Sequence, residues 1–140
     1  MALQKICIIG DGLSGLTTAV MLGSASINVD LFSKKSKNTK IDQRTTAISE
    51  SNYFFLKEEL SLKNIKYIYP CENINLYYEH NQNYINFLNL NNKKKNLMHI
   101  FENQKLKKTL HKSISKKKNI RLINKNIDNI DINDSSILIN

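Results

Sequence analysis

The chain has 140 residues, of which 41% are hydrophobic and 24% charged, and its formal net charge is +9. This length fits one ordinary domain, and the hydrophobic fraction excludes a disordered chain. No apolar run approaches the roughly 20 residues that a membrane span needs. The first residues lack the pattern of a signal peptide, so we expect a cytoplasmic protein, with a peripheral position at the inner face of the membrane as the alternative.

Much of the positive charge lies in lysine runs, a pattern that many nucleic-acid-binding proteins share. Aromatic residues do not interleave with these runs as base-stacking platforms would. Lys, Asn and Ile are abundant together, and their codons are rich in A and T, so genome composition accounts for the lysines. We therefore expect no nucleic-acid partner.

The two cysteines and three histidines do not have the spacing of a metal site. Cys7 lies in an apolar run and Cys71 is far from it in the sequence, so neither a disulfide framework nor a zinc site is predicted. Cys7 is expected to be a small core residue. His80, His99 and His111 are interpreted as ordinary loop, strand and helix residues.

The N-terminal segment predicts a strand, a helix and a second strand. Residues 4–9 form a short apolar run that ends at a glycine, which is typical of a buried parallel strand. A helix over 14–25 is indicated by four residues with the i, i+3, i+4, i+7 spacing of one face, namely Leu16, Ala19, Val20 and Gly23. Residues 27–32 indicate a second strand, which completes a βαβ unit.

The middle of the chain predicts a loop, a helix and a hairpin. Residues 33–45 are polar and lysine-rich, as in a loop, and Thr46–Leu60 favours a helix. The expected core contacts of that helix are Ile48, Phe55, Leu56 and Leu60. Pro70 is expected to break the chain, and the β-forming runs at 73–80 and 84–90, separated by Asn-Gln-Asn, predict an antiparallel hairpin.

The C-terminal part predicts one helix and three strands. After a loop at 91–96, residues 103–117 carry apolar side chains at i, i+4 and i+8 among lysines, which fits an amphipathic helix. Leu106, Leu110 and Ile114 form its apolar face. Strands are expected at 120–123, 126–131 and 136–139.

The segment CIIGDGLSGL contains a G-x-G-x-x-G turn between the first strand and the first helix. In a dinucleotide-binding turn Gly10 allows the tight turn, Gly12 lets a pyrophosphate approach the backbone, and Gly15 lets the helix pack on the strand. A helix that begins near Leu13 and Ser14 directs its free N–H groups and positive dipole end at the phosphate. The alternative is a glycine turn that serves packing only.

The end of the second strand departs from the usual dinucleotide pattern. An acidic residue normally contacts the adenosine ribose there, but that position is Ser33. Serine cannot make the paired contact of a carboxylate, and strand alternation directs Asp30 to the other face. The ribose contact is therefore expected to be weakened or replaced, and Lys34 and Lys35 also fit a 2′-phosphate, as in NADP.

The stretch IDQRTTAISESNYFFLKE at 41–58 resembles a D-x-R-T-x-A-L/I-S segment of flavin-dependent aromatic-ring hydroxylases of the ubiquinone-biosynthesis type. The matching residues are Asp42, Arg44, Thr45, Ala47, Ile48 and Ser49. The stretch at 98–110 is similar to the family's Glu-Asn sequence before a leucine-rich helix, with matches at Glu102, Asn103, Leu106 and Leu110. Residues 70–76 resemble the start of a family strand. The three segments keep the family's order and spacing, so the resemblance covers essentially the whole chain.

The resemblance implies an α/β fold: a truncated Rossmann-like FAD/NAD(P)-binding domain of the glutathione-reductase type. Residues 1–65 and 97–140 would form the nucleotide-binding part, and 66–96 a hairpin of the substrate domain. It also implies that Arg44 lies near the phosphates and ribose of FAD. Gln104 stands where the family often has arginine, and it would bond the ribityl chain or phosphate.

The same resemblance implies FAD as cofactor, ranked above NADP at the glycine turn, and NAD(P)H as a transient reductant. The substrate would be an aromatic polyprenyl phenol on the path to ubiquinone, and no side chain stands out as catalytic. The chain ends before the family's later motifs, so we expect an incomplete enzyme. A downstream polypeptide or other ubiquinone-biosynthesis proteins are the expected partners. The alternatives are another FAD or NAD(P) oxidoreductase and a non-catalytic nucleotide-binding remnant.

Overall fold

The computed structural model describes residues 5–34, 42–59, 67–92, 95–125, 127, 130–133 and 136–139. They form two units, the first containing 1–42 and 106–140 and the second containing 43–105. The elements in chain order are β1 (Lys5–Ile9), α1 (Leu13–Ser24), β2 (Asn28–Ser33), β3 (Thr45–Ser49), α2 (Glu50–Glu59), β4 (Ile68–Cys71), β5 (Asn73–His80), β6 (Asn83–Asn91), β7 (Met98–Glu102), α3 (Asn103–Ile114), β8 (Ile120–Asn124), β9 (Ile130–Asn133) and β10 (Ser136–Ile139).

The first unit is built on a parallel sheet in the order β1-β2-β8. The predicted βαβ unit is confirmed, and α1 packs on β2. The core residues of these elements are Leu16, Ala19, Val20, Val29, Leu31 and Ile120. Burying these apolar side chains is the main force that holds the helix on the sheet. The parallel arrangement brings the carboxyl ends of all three strands to one edge.

The sheet face that carries Asp30 is polar at its centre. The Arg121 guanidinium donates to both Asp30 oxygens, at 3.0 and 2.7 Å, and the Lys5 ammonium lies 3.1 Å from one of them. The Arg121 bonds hold the pKa of the Asp30 carboxyl below its usual value against the opposing effect of burial. The strand-alternation prediction for Asp30 is thus confirmed.

The prediction that Cys7 is a core residue is wrong. Cys7 is paired in register with Asp30, and its side chain is exposed. An apolar run alone predicts burial on both faces, whereas α1 packs on the face to which Cys7 does not point. Partial loss of solvation raises the pKa of the Cys7 thiol, and the negative charge of Asp30 raises it further by a smaller amount.

The second unit contains an antiparallel sheet in the order β3-β7-β4. Strand β3 contains residues 46–49, which were predicted to begin the helix, because they pair with β7 across a long sequence separation. The helix begins only after Ser49, whose Oγ accepts a hydrogen bond from the Asn52 N–H at 3.3 Å, as an N-cap residue does.

The predicted core face of α2 is correct only in part. Phe55 is 53% exposed, so its assignment to the core is wrong, whereas Ile48 and Leu56 are half-buried. Leu60 lies outside the described residues. The helix instead uses Tyr53, which stacks on His99 of β7.

Pro70 lies within strand β4 and does not break the chain as predicted. Strand β4 is at the edge of its sheet, with β7 on one side. A proline has no N–H to donate, and an edge strand tolerates that loss because only one side is paired. Strand β7 was not predicted with bounds of its own, although His99 was interpreted as a strand residue, and that interpretation is confirmed.

The predicted hairpin is confirmed as β5 and β6. Asn81 and Gln82 form its two-residue turn with φ values of 48° and 63°, and paired positive φ angles are typical of tight hairpin turns. Apolar side chains are exposed along both strands, namely Leu76, Tyr77, Tyr78, Tyr84, Ile85, Phe87, Leu88 and Leu90. The division that assigns 66–96 to a substrate domain stays a prediction.

The C-terminal elements agree with the sequence except in their bounds. The apolar face of α3 is buried as predicted, but the helix ends at Ile114, three residues before 117. The strand predicted at 126–131 is β9, Ile130–Asn133, which pairs antiparallel with β10. No helix in the described part of the chain is long and apolar enough to cross a bilayer.

His99 predicts a pH dependence of stability in the second unit. His99 is 5% exposed and stacks on Tyr53, with the two ring centroids 4.0 Å apart. Its Nδ1 has no hydrogen-bond partner among the described residues. Burial lowers the pKa of His99, and the negative charge of Glu50 offsets this in part. As pH falls through about 6.5, the unfolded histidine binds a proton that the folded one does not, so the free energy of unfolding decreases.

We expect a slope of at most about 1.4 kcal/mol per pH unit from this one group, measured by urea denaturation between pH 8 and 5. His99→Phe keeps the ring contact with Tyr53 and is expected to remove that part of the slope. The slope due to His111, whose pKa burial also lowers, remains as an internal control. An unchanged slope in His99→Phe would contradict the prediction.

Candidate nucleotide-binding site

The glycine turn joins the carboxyl end of β1 to the start of α1. Gly10 has a φ of 108°, a conformation that residues with a side chain rarely adopt, and its N–H donates to the Phe32 carbonyl at 2.9 Å. Gly12 caps α1 with extended backbone angles, and its carbonyl accepts the first helical hydrogen bond, from the Leu16 N–H at 3.0 Å. The turn is therefore tied to the end of β2.

Gly12 and Gly15 differ in the space around them. A Cβ on Gly15 would lie 2.0 Å from the Gly10 carbonyl oxygen, so only glycine lets the helix approach the turn this closely. A Cβ on Gly12 would meet nothing within 4 Å. The backbone at Gly12 is thus open on the side where a phosphate would approach, which is the cradle that such a ligand requires.

The N-terminus of α1 is open to an anion. Within the described residues no side chain caps it, and its first turn contains no acidic side chain. The N–H groups of Leu13, Ser14 and Gly15 have no intrahelical acceptor because they belong to the first turn. Together with the dipole, these donors are suited to a phosphate.

Asp11 and Lys107 form an ion pair beside the turn that sequence reasoning did not identify. The Lys107 ammonium of α3 lies 3.0 Å from Asp11 Oδ2. Burial and the charge of Lys107 lower the pKa of the nearby His111, and Asp11 raises it. The pair places one cation of α3 next to the phosphate cradle and partly neutralises the carboxylate within the turn.

A pocket of about 290 Å³ lies at the carboxyl edge of the parallel sheet. It is lined by Ile9, Gly10, Phe32, Ser33, Lys34, Lys125 and Ile127. Ser33 is only 4% exposed, and its hydroxyl donates to Asn124 Oδ1. Asn124 ends β8, which pairs with β2 in parallel. Neither Asn124 nor Lys125 was predicted, although the expected strand at 120–123 indicates that its end would lie at this edge.

Arg44 and Gln104 belong to the second unit, whereas the other predicted site residues belong to the first. The Arg44 carbonyl accepts a hydrogen bond from the Asn103 N–H at 3.0 Å, and Thr46 Oγ1 donates to Asn103 Oδ1 at 2.6 Å. These bonds join the two segments on which the family resemblance rests. They bring the Arg44 backbone beside the start of α3, where Gln104 is the second residue.

Comparison with known proteins places this fold. The structure resembles p-nitrophenol 4-monooxygenase PnpA from Pseudomonas putida DLL-E4, with a TM-score of 0.73 and 20% identity over 97% of this chain and 36% of that one. It also resembles PqsL, a probable FAD-dependent monooxygenase from Pseudomonas aeruginosa, with a TM-score of 0.70 and 12% identity. The match covers 95% of this chain and 36% of PqsL. The Diels-Alderase PyrE3 of pyrroindomycin biosynthesis matches with a TM-score of 0.73 and 12% identity. The match covers 97% of this chain and 28% of PyrE3.

The chain shares its fold with FAD-dependent monooxygenases. It spans about a third of the length of these structures. No family model matches the sequence, and no curated protein is similar to it at a significant level. Within the described ranges no group of His, Cys, Asp or Glu side chains is placed to hold a metal ion. The roles of the predicted site residues and the narrower ubiquinone-type resemblance stay predictions.

The same substitution at two positions separates the predicted ligand role of Gly12 from the packing role of Gly15. Gly12→Ser is expected to keep or raise the melting temperature, because serine is a good N-cap, and to lower FAD affinity, because its hydroxyl occupies the cradle and bonds the helix N–H groups. Gly15→Ser is expected to lower the free energy of unfolding by about 1–3 kcal/mol or more through overpacking. Thermal denaturation and FAD titration measure the two effects. Undiminished FAD affinity in Gly12→Ser would show that the ligand lies elsewhere.

The Asp11–Lys107 pair predicts opposite effects of two charge removals on phosphate binding. Asp11→Asn removes a negative charge from the turn and is expected to raise ADP affinity about two- to fivefold. Lys107→Met leaves the Asp11 charge uncompensated and is expected to lower affinity by a similar factor. Both effects should shrink at high salt, since the pair is solvent-accessible. Changes in the same direction, measured by ADP titration, would contradict this arrangement.

Proposed function

We propose that the chain is the FAD-binding part of a flavin-dependent monooxygenase that hydroxylates an aromatic ring. The observation that carries the proposal is the glycine turn, which is open at Gly12, packed closely at Gly15, and followed by a helix N-terminus without a side-chain cap among the described residues. The resemblance in fold to FAD-dependent monooxygenases supports the choice of cofactor. When bound, FAD supplies the redox and oxygen chemistry, with NAD(P)H proposed as its reductant.

The residues of this chain bind and orient that cofactor. The first-turn N–H groups of α1 and the backbone at Gly12 hold the pyrophosphate, and the pocket beside Ser33 receives the adenosine. Arg44 and Gln104, in the second unit, remain proposed cofactor contacts on the sequence resemblance alone. The bonds from Asn103 to Arg44 and Thr46 fix the backbone that carries them.

We propose an aromatic polyprenyl phenol of ubiquinone biosynthesis as the substrate. Support for this class comes from the resemblance of the sequence segments 41–58 and 98–110 to that family. The likeness to PnpA, a p-nitrophenol monooxygenase by name, agrees with a phenolic ring as the target.

A second polypeptide is the proposed partner. The β5–β6 hairpin exposes apolar side chains along both strands, and an isolated two-stranded hairpin of this kind gains stability from packing against further structure. A downstream polypeptide or another ubiquinone-biosynthesis protein would supply that cover. The proposed setting is the cytoplasm or the inner face of the membrane.

A function without hydroxylation is the second candidate. The same fold occurs in PyrE3, which is named for a Diels-Alder reaction, so the glycine turn supports nucleotide binding more directly than it supports oxygen transfer. A protein that binds the dinucleotide without turnover, or another FAD or NAD(P) oxidoreductase, would keep every feature of the turn.

Flavin binding and turnover test the proposal separately. The purified chain is expected to bind FAD weakly, in competition with ADP, and to form no hydroxylated product from FAD, NAD(P)H and a polyprenyl phenol. The reason is that the proposed contacts are with the adenosine and pyrophosphate end, which would leave the reacting ring open to water. Absence of ADP-competitive FAD binding would overturn the cofactor assignment. Product at roughly 1 s⁻¹ or more, by mass spectrometry, would show that this chain is a complete enzyme.

A further inference from the structure

The pocket beside the glycine turn has the opposite charge to a usual ribose site. Among the described residues that line it, the two charged ones are Lys34, directly after β2, and Lys125, directly after β8, and none is an aspartate or glutamate. In most dinucleotide sites a carboxylate at the end of the second strand accepts hydrogen bonds from the ribose hydroxyls and repels a phosphate there. This pocket presents cations in its place.

The parallel pairing of β2 and β8 explains why both lysines line the same pocket. Ser33 and Asn124 are partners in register at the ends of β2 and β8, so the next residue of each strand leaves the sheet at the same edge. Neither lysine forms an ion pair with another residue in the described part of the chain. Two lysines that line one pocket, with no ion-pair partner among the described residues, favour an anion at that pocket.

A hydrogen bond at the base of the pocket joins the ends of β2 and β8. The Ser33 hydroxyl donates its proton to Asn124 Oδ1, and the Ser33 side chain is almost fully buried. Serine therefore stands where a carboxylate would accept two hydrogen bonds from a ribose diol, and the charged groups among the described lining residues are the two lysines.

We propose that this pocket binds a phosphate group carried on the ribose of an adenine nucleotide, held between Lys34 and Lys125. The inference rests on the proposed function in one respect, that an adenine nucleotide places its pyrophosphate on the glycine turn. The volume of about 290 Å³ suits a sugar with its phosphate rather than a whole dinucleotide. FAD binds the same turn without this contact, so a dinucleotide with a 2′-phosphate competes with it.

NAD⁺ and NADP⁺ test the proposal because they differ only in the 2′-phosphate. In titrations of the purified chain at fixed ionic strength, NADP⁺ is expected to bind more tightly than NAD⁺ by about tenfold or more. Lys125→Glu and Lys34→Glu are each expected to remove this preference and to leave NAD⁺ binding unchanged or stronger. Lys125→Ala is the milder variant if the charge reversal perturbs folding, which circular dichroism monitors.

Lys116→Glu is the matched control. Lys116 follows α3 as an exposed turn residue outside the pocket lining. Its substitution by glutamate changes the net charge by the same amount as Lys34→Glu or Lys125→Glu. A preference lost equally in Lys116→Glu would mean that general electrostatics causes it, and would overturn the inference.

Two further outcomes distinguish the inference from the proposed function. Equal binding of NAD⁺ and NADP⁺, both displaced by FAD, would overturn the ribose-phosphate site and leave the nucleotide-binding turn intact. If NAD⁺, NADP⁺ and FAD all fail to bind, the proposed function is wrong and the inference is wrong with it.

Discussion

The first unit depends on one close approach, that of Gly15 in α1 to the carbonyl oxygen of Gly10. A methyl group at this position would lie 2.0 Å from that oxygen, well inside van der Waals contact, so any larger residue forces the helix away from the strand. Because the helix sits this close, its first N–H groups lie at the carboxyl edge of the sheet. The phosphate cradle at Gly12 and the pocket beside Ser33 both follow from that position.

The second unit has a corresponding anchor in Asn103. Its N–H donates to the Arg44 carbonyl and its amide oxygen accepts from Thr46, while the neighbouring Glu102 accepts from Lys105 at 2.6 Å and from Tyr69 at 3.3 Å. The residues that the family resemblance singled out at 42–49 and 102–103 are thus held to one another by the antiparallel pairing of β3 and β7. A shared structural role of this kind gives two distant sequence segments a physical reason to occur together.

The sequence predicted the elements whose signals are local. The glycine turn, the apolar face of α1 and the hairpin turn are each determined by a few residues that are close in the sequence. The structure contains all three. Residues 46–49 were predicted as helix because their strand partner lies about fifty positions away, within 98–102. Pro70 was mistaken for a chain break because its edge position is a property of the sheet, which sequence patterns do not state.

The site was predictable to the same extent and for the same reason. Gly10, Gly12 and Gly15 form one contiguous motif, whereas Asn124 and Lys125 reach Ser33 and Lys34 only through the parallel pairing of β8 with β2. No sequence window contains both halves of that pocket. The missing carboxylate at Ser33 therefore has an interpretation only once the second strand end is known: the serine is bonded to an asparagine, and the charge at this edge comes from two lysines. The serine at position 33 is a local property of the sequence, whereas the two lysines that line the pocket come to the same edge only in the folded sheet.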